Sequence, residues 1–549
     1  MRTSDESLQP ILIALGLVLL VLWPRLADLG SVIVNDEPIW RGRAHRYVVG
    51  LSTLDPAMTF SGGQPGVTTM LFAGIADQLH SWKASQAAIV IPVSILLLMA
   101  IVLLGRLAGW PLAVLTGVLL ALDPFHIAQS RLVHTDALQA GFMLVALLLL
   151  ALAWQMHSRR YLYISAAAAA LAVLSKFFAL WLPILVLAAS FSKRFGDGHQ
   201  GKRMGVIILL MLAVSAVIWP TVFAPAEPLS IITKYSKLSL AETEVGKGGG
   251  EPFYYLREWW FRVTPVAVVF GAVGLAGMLL TWRPHPESKQ VTLPVWNQSL
   301  PQFPARNLIL FLVVCTVAYG VMLTFSGQKS DRYFLLGFMV TDIVAAGGIL
   351  WLSSLVTQLA RSWKVEKVAF VAGLVLAGIL AWDISYIHPY YLTYFNPLYP
   401  VTSQQKLGWG EGLERAAAWV QGGVLEGEEP PPVAVAYAFV LREFYGGIAE
   451  SIGHEYDRDD YKYVILYRTM FGRGPSHESI RYLQAYFGRG KCNWQLTVNG
   501  LPHVWIFERL PQNERPTEER DAVRDGDLIE LPQCAEEEIV SDPKARWVL

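Results

Sequence analysis

The sequence predicts an α-helical polytopic membrane protein that ends in a small extracytoplasmic α/β domain. Three observations carry this expectation. Of 549 residues, 54% are hydrophobic and only 16% charged, against about 25% charged in an ordinary soluble protein. The apolar residues fall in runs of near-membrane length over residues 1–385 and thin out afterwards. Basic residues gather in alternate short loops. A mean hydropathy of +0.40 over this length excludes a cytosolic enzyme, a disordered chain and a coiled coil. The formal net charge of +0 offers no basic field for nucleic acid. With 3 cysteines the chain is neither a disulfide scaffold nor a thiolate metal cluster. Cys492 and Cys534 allow one disulfide if their part of the chain lies outside the cytoplasm.

Helices are expected near residues 8–29, 86–104, 111–122, 137–154, 161–174, 177–192, 205–222, 263–282, 306–325, 333–356 and 366–385. That is about eleven spans, several of them shorter than the roughly 20 residues of a straight crossing. The first run, Ile11 to Trp23, has no small-residue cleavage site after it and is expected to be a retained helix. Arg106, Arg159, Arg160, Lys193, Arg194, Lys202, Arg203, Arg283, Lys289, Arg361, Lys364 and Lys367 mark the cytoplasmic loops. Basic pairs flank Tyr161 to Phe191 at both ends, so this segment should break at Ser175-Lys176 and return. Residues 30–85, 123–135, 223–262, 326–332 and everything after Asp383 then face outward. An odd number of spans leaves the N-terminus in the cytoplasm.

Residues 386–549 change character. Helix-like segments (412–421 and 476–487) mix with strand-like ones (433–440, 463–467, 494–498 and 503–508), and Asn499-Gly500 signals a hairpin. The tail after Pro511 is acidic and is expected to be loosely ordered. Gly246 to Gly250 reads as a mobile-loop signature in the outward segment 223–262. The aromatic residues of the domain, Tyr445, Tyr463, Trp494 and Trp505, read first as core.

The outward loops hold the candidate chemistry. Asp36 and Glu37 stand together just after the first helix, followed by Arg41, Arg43 and Arg46. Such a carboxylate can act as a general base towards an alcohol or hold a metal. It can also simply cap the next helix. Ser61 to Thr69 is a glycine-proline turn before a helix, where backbone N–H groups can meet an anion. Asp123 to Asp136 carries His126, Arg131 and His134. Arg131 suits a phosphate, because its planar fork makes paired hydrogen bonds. Asp136 has helix capping as its equal alternative. Two histidines eight apart make a poor zinc signal. Lys329, Arg332 and Lys176 are cations on the side that the charge rule disfavours, and they point to an anionic ligand at headgroup height. Trp40 can stack on a sugar or anchor at the interface. Trp259, Trp260 and Phe261 read first as an interfacial belt.

Together, Asp36-Glu37, Gln64 to Thr69, Ser130 to Asp136, Lys176-Phe177-Phe178 and Lys329 to Tyr333 resemble the GT-C glycosyltransferase superfamily. The branch they resemble is that of the protein O-mannosyltransferases and ArnT-like enzymes, including the bacterial dolichyl-phosphate-mannose-protein mannosyltransferase-like proteins. His388 to Pro397 and Gly408 to Gly412 extend the likeness over residues 30–412. The resemblance implies a GT-C fold over residues 1–385 and transfer of a sugar from a polyprenyl-phosphate donor on the outer face of an inner (plasma) membrane. It implies an inverting reaction with Asp36 as general base and Glu37 orienting the loop or acceptor. Arg131, Lys329, Arg332 and Lys176 would hold the donor phosphate, with Asp136 and His134 behind them. Trp40 and Gln64 would contact the acceptor or sugar, although many relatives have His where this chain has Gln64. No metal and no cofactor is expected. The partners are the lipid-linked sugar, a protein, polysaccharide or lipid acceptor, and membrane lipid, with no nucleic acid. Two other classes fit the helices: a transporter or flippase of lipid-linked or anionic solutes, and a non-catalytic membrane scaffold. A transporter should show half-sequence repeats and polar helix midpoints, which the sequence lacks.

Overall fold

The computed structural model describes residues 4–59, 65–193, 205, 252–281, 292–293, 298–299, 301–326, 329–360, 363–400, 407–452, 461–473, 478–514, 534 and 539–541. The chain forms two compact units. One comprises residues 1–27 and 40–382, the other residues 28–39 and 383–549.

The first unit is a multi-pass helical membrane domain. Its helices follow the apolar runs: α1 (Ser4–Leu26), α2 (Glu37–Thr53), α3 (Val67–Asp77), α4 (Trp82–Ala108), α5 (Trp110–Leu122), α6 (Pro124–Ser130), α7 (Asp136–Met156), α8 (Arg159–Ser175), α9 (Trp181–Ser190), α10 (Tyr254–Arg262), α11 (Pro265–Leu280), α12 (Arg306–Thr324), α13 (Leu335–Ala360) and α14 (Val365–Ile387). Among the described residues, 5 helical stretches are long and apolar enough to cross a membrane, or up to 7 if each bent pair counts as one span. The bent pairs are α5 with α6, at 67°, and α10 with α11, at 118°. Each break has a local cause. Asp123 and Thr264 start new helices by accepting from the N–H of His126 and Ala267, and each is followed by a proline at the first helical position. The span expected at 205–222 and the glycine run Gly246 to Gly250 lie outside the described residues.

Helices α7 and α13 are mostly buried, whereas most of α12 and α14 is not. Leu12, Leu19 and Trp23 on α1 and Val314 and Val317 on α12 are exposed apolar side chains, as a membrane face requires. Helices α11 and α13 touch backbone to backbone. A Cβ on Gly274 would stand 2.6 Å from the carbonyl oxygen of Val344, the small-residue contact typical of membrane helix pairs. The expected break between α8 and α9 falls at Lys176, which is extended (φ −162°, ψ 138°) and leads into a 3₁₀ turn at Phe177–Ala179.

The second unit is a mixed α/β domain. Its elements are α15 (Leu413–Gly422), β1 (Val433–Val435), β2 (Ala449–Ser451), β3 (Tyr463–Tyr467), α16 (Glu478–Arg489), β4 (Cys492–Val498), β5 (Leu501–Glu508) and β6 (Ile539–Ser541). They form a 6-stranded sheet in the order β2-β1-β3-β5-β4-β6. The hairpin signal is realised. β4 and β5 pair antiparallel, and Asn499 and Gly500 both have positive φ (51° and 72°), as a primed hairpin turn demands. Strand β1 stops at Val435 because Ala438–Leu441 turns helical, which shortens the strand expected over 433–440. Part of the tail is ordered, against expectation. β6 pairs parallel with Gln495 to Thr497, and Cys534 forms a disulfide with Cys492. Tyr445, Trp494 and Trp505 are buried core residues.

Two ionisable groups in this unit give opposite pH slopes. Burial pushes the Glu414 carboxyl up to about 7 from its ordinary 4.5. Burial also drives the His503 imidazole down to about 3 from 6.5. The folded state therefore binds more protons than the unfolded state at Glu414 between pH 4.5 and about 7, and stability falls there as pH rises. At His503 it binds fewer protons between about pH 3 and 6.5, so stability falls there as pH drops. The slopes oppose each other between pH 4.5 and 6.5, which predicts a flat optimum. Glu414→Gln should tilt that plateau upward with pH by about 1.4 kcal/mol per unit, and His503→Gln should tilt it downward. Denaturation of the purified protein across this range checks both.

Candidate active site

In the helical unit, charged side chains gather around Asp136, the first residue of α7. Thr135 precedes it without a capping hydrogen bond. The Asp136 carboxylate is turned to cations rather than to its own helix end, so the capping alternative does not describe it. Lys176 Nζ donates to Asp136 Oδ1 at 2.5 Å. His134 Nδ1 lies 2.7 Å and Arg332 Nε 3.4 Å from Oδ2. Lys176 reaches this point from the extended break between α8 and α9, and Arg332 from the 3₁₀ turn Asp331–Phe334. Side-chain exposure is 1% for Asp136, 2% for Lys176 and 12% for Arg332. The Lys176 ammonium also stands 3.8 Å from the centre of the Tyr333 ring, a cation–π contact.

One carboxylate meets two permanent cations and a histidine, in a place almost closed to water. Beside them Arg262 and Asp331 pair at 3.0 Å. Charges in such a place are held by being paired.

The glycine-proline turn frames this group. Gly66 N–H donates to the Ser175 carbonyl at 3.2 Å, and Thr68 Oγ1 and Ser175 Oγ are hydrogen-bonded at 2.7 Å. Thr69 Oγ1 donates to the His134 carbonyl at 3.3 Å. The Gly66 amide is thus spent on protein rather than offered to an anion. Trp40 is buried. Its indole lies against Gly66 and meets His134 edge-on at 5.5 Å between ring centres. A Cβ on Gly66 would enter the Trp40 ring, and φ there is +58°. Gly66→Ala is expected to destabilise the helical unit by about 2–4 kcal/mol, from overpacking together with a left-handed backbone. Thermal denaturation in detergent is the check.

Other sequence candidates have different surroundings. Arg131 Nη1 donates to the carbonyls of Pro24 (2.9 Å) and Ala27 (2.5 Å), with Arg25 O at 3.4 Å. That nitrogen satisfies the end of α1, a use the motif did not announce. His126 is a core residue. It is buried, with Nδ1 3.0 Å from Arg25 Nη2. Lys329 is half-buried beside Ser330, and Gln64 lies outside the described residues. Arg41 binds Asp77 at 2.6 Å, which ties α2 to α3 instead of leaving a cation beside the acidic pair.

Asp36 and Glu37 fall in the second unit with residues 28–39. Asp36 is half-buried in the turn just before α2. Glu37 is fully buried, and its Oε2 accepts the Val34 N–H at 2.9 Å while its own N–H donates to the Val34 carbonyl at 3.0 Å. This is the reciprocal closure of a capping turn. It leaves Glu37 holding the loop and Asp36 at its tip. Asn35 N–H donates to the Trp409 carbonyl at 2.9 Å, and His388 Nε2 meets Asp28 Oδ2 at 2.7 Å. Sequence reasoning passed over Arg262, Asp342 and Glu411. The available signal for Asp342 was a lone carboxylate inside an apolar span.

No curated protein matches the chain in sequence. Residues 68–219 match the family described as dolichyl-phosphate-mannose-protein mannosyltransferase. That match covers less than half of the chain. The matched segment contains Arg131, His134, Asp136 and Lys176 and leaves Asp36 and Arg332 outside. Similar solved structures include the Archaeoglobus fulgidus oligosaccharyltransferase AglB, crystallised with an inhibitory peptide and a dolichol-phosphate. It shows 12% identity and a TM-score of 0.45, with 92% of this chain and 74% of that chain covered. ArnT from Cupriavidus metallidurans bound to undecaprenyl phosphate shows 12% identity and a TM-score of 0.48, with 92% and 98% covered. The apo form of the same enzyme shows 11% identity and a TM-score of 0.49, with 92% and 98% covered. No residue role follows from likenesses at this level.

Proposed function

We propose that this protein is a GT-C glycosyltransferase that moves a sugar from a polyprenyl-phosphate donor to an acceptor hydroxyl on the outer side of an inner membrane. The observation that carries the reading is the buried cluster in which Lys176, Arg332 and His134 converge on Asp136. A polyprenyl phosphate brings an anion that such cations suit and a tail suited to an apolar helical bundle. Lys176 and Arg332 hold the phosphate, Asp136 and His134 fix their directions, and Lys329 and Arg131 are second candidates for the same anion.

The reaction is a single displacement. The acceptor oxygen bonds to the anomeric carbon, the carbon–oxygen bond to phosphate breaks with its electron pair, and configuration inverts. Asp36 takes the acceptor proton. Phosphate is a good leaving group, so a carboxylate of ordinary basicity suffices and the step needs no metal. Fixed cations in a water-poor site stabilise the charge that grows on the leaving phosphate. The gathering of basic residues in alternate short loops supports an outward Asp36 turn.

The test is transfer in proteoliposomes from radiolabelled polyprenyl-phosphate mannose, arabinose derivatives or hexosamines to cell-envelope acceptors, with EDTA present and absent. Transfer from one of these donors, insensitive to EDTA, is expected. Movement of the intact lipid-linked sugar across the bilayer, with no transfer, would make the protein a flippase instead.

A further inference from the structure

The second unit has no assigned task, yet it contains residues 28–39, the loop that carries Asp36. The joint between that loop and the domain is built from backbone. The Trp409 carbonyl accepts the Asn35 N–H at 2.9 Å, one residue before Asp36. The Trp409 backbone is itself held one peptide earlier, since Glu411 Oε2 accepts the Trp409 N–H. The same oxygen accepts the Tyr467 hydroxyl at 3.2 Å. Glu411 is 2% exposed and Tyr467 fully buried, so this carboxylate sits inside the domain as a fixed acceptor.

The glycines around it permit the approach. Gly410 has φ +128°, and a Cβ there would stand 3.2 Å from Val440 and 3.5 Å from the Ile33 carbonyl. Gly408 has φ +74°, and a Cβ there would meet the Tyr467 hydroxyl. Ile33 and Val34 are each 1% exposed, which seats the loop. Glu37 closes it at one end and the Asp28–His388 contact at the other.

We infer that Glu411 is a positioning residue for Asp36, acting through Tyr467 and the Trp409 peptide, and that the C-terminal domain serves to fix the general base. The inference rests on the proposed role of Asp36. Glu411 touches no substrate. It sets the angle of the Trp409 carbonyl, which sets Asn35 and hence the neighbouring carboxylate. Small misplacements of a reacting group cost large factors in rate.

The test compares Glu411→Gln, Tyr467→Phe and Asp36→Asn in the full-length protein in lipid nanodiscs. For Glu411→Gln, kcat should fall about tenfold with the donor KM within about twofold. Amide hydrogen exchange at Asn35 should quicken about tenfold, while Tyr463 to Tyr467 keep their protection. Tyr467→Phe, which removes one hydroxyl, should do the same to a smaller degree, and it carries the test if Glu411→Gln fails to fold. Unchanged exchange at Asn35 in both variants overturns the inference. So does unchanged kcat in both while Asp36→Asn is inactive. A fully active Asp36→Asn instead removes the base reading, and the exchange result then stands or falls separately.

Discussion

Asp36→Asn is expected to lower kcat for sugar transfer by about 10²–10⁴-fold, the usual share of a general base. The donor KM should stay nearly constant, because Asp36 is assigned to the acceptor proton and not to the phosphate. The substitution keeps shape and removes only basicity. Asp36 lies half-buried at the tip of a turn whose closure is made by Glu37 and Val34, so the fold should survive it. Asp36→Glu should recover part of the rate. Steady-state transfer kinetics decide the matter, and wild-type kcat in Asp36→Asn eliminates the mechanism.

Arg332→Gln is expected to reduce kcat/KM by about 10²–10³-fold, comparable to deleting one donor that stabilises a developing anion. The substitution removes a cation assigned to the donor phosphate, while Asp136 keeps Lys176 at 2.5 Å. At 3.4 Å Arg332 is the looser partner of Asp136, so its loss should cost less stability than loss of the shared carboxylate. Arg332→Lys should restore part of the activity, because it returns the charge without the fork. Asp136→Asn should behave oppposite in kind. It removes the buried carboxylate that Lys176 and Arg332 share and should cost about 3–5 kcal/mol of stability, as breaking a buried pair from one side does. Kinetics and denaturation on the same preparations separate the two effects. If Arg332→Gln transfers sugar normally, the phosphate lies elsewhere.

Much of this was legible in the chain. The helices α4, α7, α12, α13 and α14 lie on the apolar runs, because a lipid-spanning segment must be apolar along its whole length and must satisfy its own backbone. The hairpin at Asn499-Gly500 was legible because few residues tolerate positive φ twice in succession. Lys176, Asp136 and Arg332 were each visible as charges in apolar surroundings. Their meeting was not, since 40 residues separate Lys176 from Asp136 and no local rule links them. Arg131 shows the limit from the other side. Its residue type suits phosphate, yet carbonyls at the end of α1 take up its Nη1, and only packing decides which acceptors a buried guanidinium meets.

By itself the sequence determined a helical membrane domain, a C-terminal α/β domain and a short set of charged residues, because hydropathy and periodicity are properties of neighbours along the chain. The tertiary structure alone decided that Asp136 faces Lys176, His134 and Arg332. It alone decided that the Asp36 loop belongs to the C-terminal unit. Both are long-range arrangements, and Coulomb energy in a water-poor interior depends on distance in space rather than on separation along the chain.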